Sequence, residues 1–259
     1  MEPYRTLRRP HEHIQKGIFV AEGEKVVRRL LNSRLSVVSF LLTHEWHEKL
    51  AASEDRFREC EAEVFIADKN LLQQIVGYRL HQGIMAVGKV PIEPALSELL
   101  AKLRHPFLIV ALDSLMNSEN VGIGVRNCVG FGVDALLVGE TSSSPYLRRA
   151  VRNSMGTVFQ LPVIHVNDLV TSLQEVRRVG ATVLAADPHG DVPIDKMDVN
   201  RNTCIVFGNE EAGISPRVLE ACDQRVAIPM HDNTDSLNVS SASAVFLYEV
   251  ERLRGRGKN

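Results

Sequence analysis

The 259-residue chain holds only four cysteines, Cys60, Cys128, Cys204 and Cys222, and no two of them stand at C-x-x-C spacing. No histidine accompanies them at zinc-finger spacing, so neither a structural zinc module nor a thioredoxin-like pair is expected, and no metal. Thiols this sparse predict a reduced, cytoplasmic protein with incidental buried cysteines. Long hydrophobic runs are missing as well. The longest near the middle, Pro106 to Leu112, has seven residues, whereas a membrane-spanning helix needs about 20. No membrane association is expected. The first residues, Met1-Glu2-Pro3-Tyr4-Arg5, lack an apolar core behind their charges, which argues against a secretory signal. Neither internal repeats nor low-complexity tracts occur. Charge of one sign is not in excess either: 30 Lys+Arg stand against 32 Asp+Glu, a net of −2. A uniformly basic nucleic-acid binder is therefore excluded, and any such surface must be a local patch.

What is present is the composition of a globular protein, 44 % apolar and 24 % charged. At about 150 residues per domain the length predicts one to two domains. The segment Val90-Pro91-Ile92-Glu93-Pro94 places two prolines in four residues and reads as a linker. We therefore expect a small α/β domain over 1–95 and a second domain over 96–259. Residues 1–90 carry 14 basic against 12 acidic side chains, and the remaining 169 carry 16 against 20. Before the linker, strands are expected at 17–20, 35–42, 63–66 and 83–87, with helices at 22–31, 45–52 and 69–76. Beyond it, strands at 107–112, 135–138, 163–166, 181–186, 203–207 and 226–229 alternate with helices at 121–130, 146–153, 169–179, 216–222 and 240–253. Such alternation predicts a mainly parallel sheet with helices on both faces. Ligands of these sheets bind at the carboxyl ends of the strands.

Three loops at such strand ends carry unusual chemistry. The first, Asn117 to Asn127, contains Gly122-Ile123-Gly124. Asn127 stands where a dinucleotide fingerprint needs its third glycine, so that motif fails. Capping by Asn117 or Asn120 accounts for a helix start here. It does not account for Arg126, which is expected to be at least half-buried and so to need partners. The second loop, Phe207 to Pro216, pairs Gly208 with Asn209, Glu210 and Glu211. Gly208 would permit close approach to a ligand, and Ser215-Pro216 is a helix start. The third, Ile228 to Ser243, mixes ten hydrogen-bonding side chains with apolar Ile228, Met230 and Leu237. That mixture suits an amphiphilic ligand with an aromatic base and polar tails.

In order and spacing, these loops resemble the three motifs of the SpoU (TrmH-like) RNA ribose 2′-O-methyltransferases of the SPOUT superfamily. The matching stretches are Asn120-x-Gly122-x-x-x-Arg126, Val206-Phe207-Gly208-Asn209-Glu210-Glu211-Ala212-Gly213, and Ile228-Pro229-Met230 with Ser236-Leu237-Asn238-Val239-Ser240. Ser154-Met155-Gly156 and Leu161-Pro162-Val163 also fit. Phe19-Val20-Ala21-Glu22-Gly23 and His81-Gln82-Gly83-Ile84-Met85-Ala86-Val87 resemble the family's substrate-binding domain. The resemblance implies an S-adenosylmethionine-dependent enzyme that works as a homodimer, with a trefoil-knotted C-terminal domain behind a small RNA-binding domain. It further implies that Gly208, Ile228 and Leu237 hold the cofactor, with Asn209 and Met230 nearby. Arg126 would stand at the centre of catalysis, Asn120, Ser236 and Asn238 would orient it, and Glu210 would hold the loop or pair with a cation.

Methyl transfer from a sulfonium needs no activation of the methyl group; the weakly acidic ribose hydroxyl is the difficulty. It must be positioned and relieved of its proton. Arginine is a poor base, because its pKa lies above about 12, so a phosphate-clamping and oxyanion role suits Arg126 better. RNA would be held by Arg148, Arg149 and Arg152, or by Arg5, Arg8, Arg9 and Lys16, each group being equally explicable as a solvated surface. The two-domain layout resembles ribosomal-RNA enzymes more than single-domain tRNA enzymes. A non-catalytic RNA-binding protein and a nicotinamide oxidoreductase are the competing readings. The intact motif residues argue against the former and the failed glycine fingerprint against the latter.

Overall fold

The computed structural model describes residues 1–79, 82–231 and 236–255. In chain order the first elements are α1 (Glu2–Arg5), α2 (Pro10–Gln15), β1 (Ile18–Glu22), α3 (Glu24–Leu31), β2 (Val37–Leu42), α4 (His44–Ser53), α5 (Asp55–Glu59), β3 (Glu63–Ile66), α6 (Lys69–Val76) and β4 (Ile84–Lys89). There follow α7 (Leu96–Leu100), β5 (Leu108–Leu112), α8 (Ser118–Gly130), β6 (Ala135–Val138), α9 (Arg148–Asn153), β7 (Val163–His165), α10 (Leu169–Arg178), β8 (Thr182–Ala186), β9 (Val192–Pro193), β10 (Thr203–Phe207), α11 (Pro216–Ala221), β11 (Gln224–Ala227) and α12 (Val239–Leu253). The expected strands all form, within a few residues of their predicted ends. The short helices α1, α2, α5 and α7 were not expected. None has more than six residues, too few for a helical period to show.

Contacts divide the chain into two units, Met1–Ile92 with Pro145–Gln160, and Glu93–Ser144 with Leu161–Asn259. A single cut after residue 95 leaves Pro145–Gln160 on the other side. The reason is aromatic: in the first unit Phe19 of β1 packs on Tyr146 at 5.8 Å and on Phe159 at 5.0 Å between ring centroids. Gly88 on the paired strand makes room for that ring, since a Cβ there would lie 2.4 Å from Phe19 Cζ.

The first unit is a four-stranded sheet in the order β1-β4-β2-β3, antiparallel except for the β2–β3 pair. One face packs Val20, Leu41, Met85 and Val87 against Tyr4, Leu7, Leu72 and Val76. Tyr4 is fully buried, and its hydroxyl is satisfied by Ser39 Oγ at 3.0 Å.

The second unit is a seven-stranded parallel sheet, β7-β6-β5-β10-β8-β11-β9. Strand β5, Leu-Ile-Val-Ala-Leu, is buried at every position, the pattern of a strand covered on both faces. Its odd residues, Ile109 and Ala111, join Leu169, Leu173 and Val176 of α10 and Val218 of α11. Its even residues, Val110 and Leu112, face Val121, Val125 and Cys128 of α8 with Ser240 and Ser243 of α12. The period of two separates the layers. From β5 the chain runs outward through β6 and β7, then reappears at β8, and β10 inserts between β5 and β8. The order therefore reverses beside β5, the kind of switch point where open α/β sheets bind ligands. No helix among the described residues is long and apolar enough to cross a membrane.

Candidate active site

The site is built in the second unit from the carboxyl ends of β5, β8, β10 and β11. Beyond Leu112 comes Asp113, 6 % exposed, whose Oδ2 accepts the Ser215 N–H at 2.6 Å and so fixes the residue that precedes α11. Pro216 occupies the first helical position there, where its missing N–H costs nothing. Beyond Phe207, the Gly208–Ser215 loop folds back on itself. Asn209 and Gly213 exchange backbone hydrogen bonds at 2.8 and 3.1 Å. The Asn209 side-chain oxygen accepts from Glu211 N and Ala212 N, and its Nδ2 donates to Ser114 O at 2.9 Å. A Cβ on Gly208 would lie 2.3 Å from the Gly213 carbonyl carbon. The close approach that demands glycine is thus to the loop's own returning backbone, not primarily to a ligand.

Helix α8 starts on Asn117, whose Oδ1 accepts from Glu119 N and Asn120 N. Glu210 reaches this helix start: its Oε1 accepts from Asn120 Nδ2 at 2.9 Å and Asn117 N at 3.3 Å. Asn120, 9 % exposed, accepts in turn from Ser240 Oγ at 2.9 Å and Asn238 Nδ2 at 3.3 Å. Asn238 caps α12 through Ser240 N at 2.9 Å. Two turns along α8, Asn127 Nδ2 donates to Ser240 O and Ser243 Oγ. A polar seam thus joins α8, α12 and the Glu210 loop, and brings together Asn120, Glu210 and Asn238.

Beside this seam lies a cavity of about 250 Å³. Gly208, Asn209, Glu210, Ile228, Met230, Ser236, Leu237 and Asn238 all line it. Phe207, Val226 and Phe246 give it apolar walls, and Met230 and Leu237 are each 37 % exposed. Ala186, Asp187 and Pro188 at the end of β8 also line it and were missed from the sequence. Their signal was positional, a residue triplet just past an expected strand. Asp187 is 9 % exposed and held by Arg225 at 2.7 Å and by His189 N at 2.9 Å. Of the third loop, Asp232 to Asp235 lie outside the described residues, as does His81.

Arg126 stands elsewhere. It does not line the cavity and it is exposed, contrary to the burial expected for it. The cause is helical phase. Asn120 and Asn127, seven residues apart, share the face turned to α12, while Arg126 falls on the stripe of exposed Glu119, Ile123 and Gly130. Among the described residues it has no hydrogen-bonding or ionic partner. The four thiols are free, and burial pushes that of Cys128 up to about 12, so it offers no thiolate nucleophile.

The expected RNA-binding arginines lie in the first unit and are not uniformly available. Arg148 donates to Glu22 Oε2 at 2.8 Å and to the Tyr78 hydroxyl at 3.1 Å, over whose ring it stacks. Burial and Glu22 push the Tyr78 phenol above its ordinary range. Arg152 lies 3.7 Å from Glu22 Oε1 with 53 % of its side chain exposed. Arg149 is exposed. Arg9 pairs with Glu12, Lys16 with Glu2, and Arg8 donates to Gly77 O. No group of three or more metal-ligating side chains occurs among the described residues.

Comparison with known proteins agrees in extent with this architecture. The SpoU rRNA Methylase family model matches residues 107–248, and the RNA 2′-O ribose methyltransferase substrate-binding model matches residues 20–92. An uncharacterized tRNA/rRNA methyltransferase of Mycobacterium tuberculosis is 34 % identical over 250 residues, covering 95 % of this chain and 84 % of that one. The SpoU methyltransferase AviRb from Streptomyces viridochromogenes superposes with a TM-score of 0.85 at 26 % identity, over 99 % of this chain and 97 % of that one. AviRb has also been solved in complex with AdoMet. The A. aeolicus TrmH/SpoU tRNA modifying enzyme, 28 % identical with a TM-score of 0.53, covers 62 % of this chain and 83 % of its own.

Proposed function

The chain belongs to the SpoU rRNA methylase family, and we propose that it moves the methyl group of S-adenosylmethionine onto a ribose 2′-oxygen of RNA, with ribosomal RNA the favoured acceptor. The observation that carries this reading is the Asn120–Glu210–Asn238 seam beside a cavity that is apolar on one wall and polar on the other. Such a cavity fits an amphiphilic cofactor. Phe207, Val226 and Phe246 suit a flat base, the Gly208–Gly213 backbone and Asn238 suit polar groups, and the partly open Met230 and Leu237 suit a covering role. Ribosomal RNA is favoured by the two-unit layout, since the tRNA-modifying relative has a counterpart for only part of the chain.

When bound, S-adenosylmethionine supplies an electrophilic methyl group whose sulfur departs uncharged. Everything else falls to the chain. Glu210 fixes the start of α8 by accepting from Asn120 and Asn117. Asn238 and Ser240 hold Asn120 in place. The exposed fork of Arg126, outside the cavity, would grip the phosphate beside the target ribose and so orient its hydroxyl. The hydroxyl proton would leave to water, relayed by the phosphate, because a guanidinium with a pKa above about 12 stays protonated and cannot accept it.

The homodimer belongs to the same proposal. Ile123, one turn before Arg126, is 38 % exposed, and Val245 and Tyr248 of α12 are 38 % and 59 % exposed. A second copy laid on this apolar surface would bury it and enclose Arg126. The test is transfer of labelled methyl from S-adenosylmethionine into total rRNA and total tRNA. Label is expected in rRNA and about 100-fold less with Arg126→Ala, the scale of losing one transition-state donor. Equal label with that variant removes Arg126 from its role, and label in tRNA alone overturns the substrate.

A further inference from the structure

Three segments set apart by the sequence remain unused by the methyl-transfer site: Glu22-Gly23, Gln82 and Met155. In the first unit they meet around a cavity of about 410 Å³, within the ~300–1,000 Å³ typical of small-ligand sites. Its floor is apolar, formed by Val26 and Ile84, both almost fully buried.

One wall is pinned at Gln82. The Trp46 indole N–H donates to its backbone carbonyl, and its side-chain oxygen accepts the Glu24 N–H at 2.8 Å. The carboxamide so held lines the cavity. The opposite wall is Met155, a non-glycine residue at φ +55° followed by Gly156 at φ +79°. That turn is held from several sides. Arg29 donates to Met155 O at 2.7 Å, and the fully buried Ser154 hydroxyl bonds Val151 O and Gly156 N. Backbone strain that its surroundings over-determine concentrates at ligand sites.

The rim carries two acids, Glu22 and Glu24, and two cations, Lys25 and Arg152. Of the local acids, Glu24 pairs with Arg28 at 3.0 Å and Glu22 with Arg148 at 2.8 Å. Arg152 is only loosely drawn to Glu22, at 3.7 Å, and Lys25 is exposed without a partner among the described residues. Lys25 and the half-exposed Arg152 thus overhang an apolar floor beside the Gln82 carboxamide.

We propose that this cavity is a second nucleotide subsite, holding an unpaired nucleotide of the RNA substrate distinct from the one that receives the methyl group. Lys25 and Arg152 take its phosphate oxygens. Met155, soft and polarisable, lies against the base with Val26, and the Gln82 amide donates to an acceptor on the base edge. Unpaired bases are what sequence-specific RNA sites usually take. The proposal rests on RNA being the substrate.

The probe is a fluorescein-labelled 20-nucleotide single-stranded RNA of mixed sequence, bound to the full-length protein and followed by anisotropy over a range of KCl. The double variant Lys25→Ala/Arg152→Ala is expected to bind about 10-fold more weakly. Its slope of log affinity against log salt should shrink by about 1.4, at ~0.7 per phosphate contact on a single strand. Met155→Ala, and Met155→Gly which relieves the positive φ, should each weaken binding about 5-fold with the slope unchanged, because they remove base contact and not charge. Melting temperature and S-adenosylmethionine affinity report whether the variants fold. Wild-type binding matched in affinity and slope by the double variant overturns the subsite. Failure of the wild type itself to bind RNA overturns the substrate reading, and the subsite with it.

Discussion

Replacing Asn120 by alanine cuts the polar seam at its middle. Three hydrogen bonds go at once: donation to Glu210 at 2.9 Å, and acceptance from Ser240 Oγ at 2.9 Å and Asn238 Nδ2 at 3.3 Å. A bond to a charged group contributes about 1.5–3 kcal/mol and a neutral one about 0.5–1.5. The Ser240 hydroxyl keeps Asn238 Oδ1 at 2.7 Å, so its bond is replaced rather than lost. The Glu210 carboxylate keeps Asn117 N at 3.3 Å and is open to water. The net cost is then about 2–3 kcal/mol. At ~2–4 °C per kcal/mol for a unit of this size, the melting temperature should fall by about 5–10 °C in calorimetry. A second variant, Asn120→Asp, sets a carboxylate beside that of Glu210 and raises the pKa of the pair. A folded pKa above the unfolded value means stability that is intact at low pH and lost as pH rises through the folded pKa. The deficit of Asn120→Asp should therefore grow between about pH 4 and pH 7. An Asn120→Ala protein melting within about 1 °C of wild type, or an Asn120→Asp deficit indifferent to pH, would show that Asn120 does not tie Glu210 to α12.

Gly208→Ala should abolish S-adenosylmethionine binding by calorimetric titration, because its Cβ would meet Gly213 backbone at 2.3 Å and prise the loop open; unchanged affinity would show that the loop yields freely. Burial holds the His13 imidazole below its ordinary value. The unfolded chain therefore takes up a proton first, and stability should fall as pH drops below about 6.5 toward the folded pKa. Urea midpoints should show that fall in wild type and less of it in His13→Gln; an identical fall in both would acquit His13. Glu22→Gln should destabilise the first unit by about 2 kcal/mol, less than the ~3–5 of a fully buried broken pair, because Arg148 keeps the Tyr78 hydroxyl at 3.1 Å. Proteolysis midpoints in urea would show no shift if that ion pair contributes nothing. Tyr248→Lys should turn a sedimenting dimer into a monomer, and a dimer unaffected by it would place the interface elsewhere.

The strands were legible because burial on both faces writes itself as short unbroken apolar runs, as in Leu108–Leu112 and Thr203–Phe207. The cap at Asn117 was legible for the same local reason: its Oδ1 accepts from N–H groups two and three residues on. What the sequence hides is whatever depends on distant partners. Glu22 and Arg148 are 126 residues apart, so a run of arginines that reads as a free basic patch is in part a neutralised one. The placement of Pro145–Gln160 in the first unit depends on Phe19, equally remote. Arg126 illustrates a different limit. Its helix was expected, but the helix begins at Ser118, and its buried face is fixed by Asn120 and Asn127 against α12. Asp187 was passed over because its charge is explained only by Arg225, 38 residues on.

Methylation at the ribose oxygen is the reaction proposed for this chain, and alkaline hydrolysis reads that position directly. Alkali cleaves RNA through attack by the free 2′-OH on the adjoining phosphate, and a 2′-O-methyl group blocks it. RNA labelled by the enzyme from methyl-labelled S-adenosylmethionine should be hydrolysed completely and its products separated by charge. Label is expected in alkali-resistant dinucleotides. Label recovered in mononucleotides would mean that a base receives the methyl group, and would contradict it.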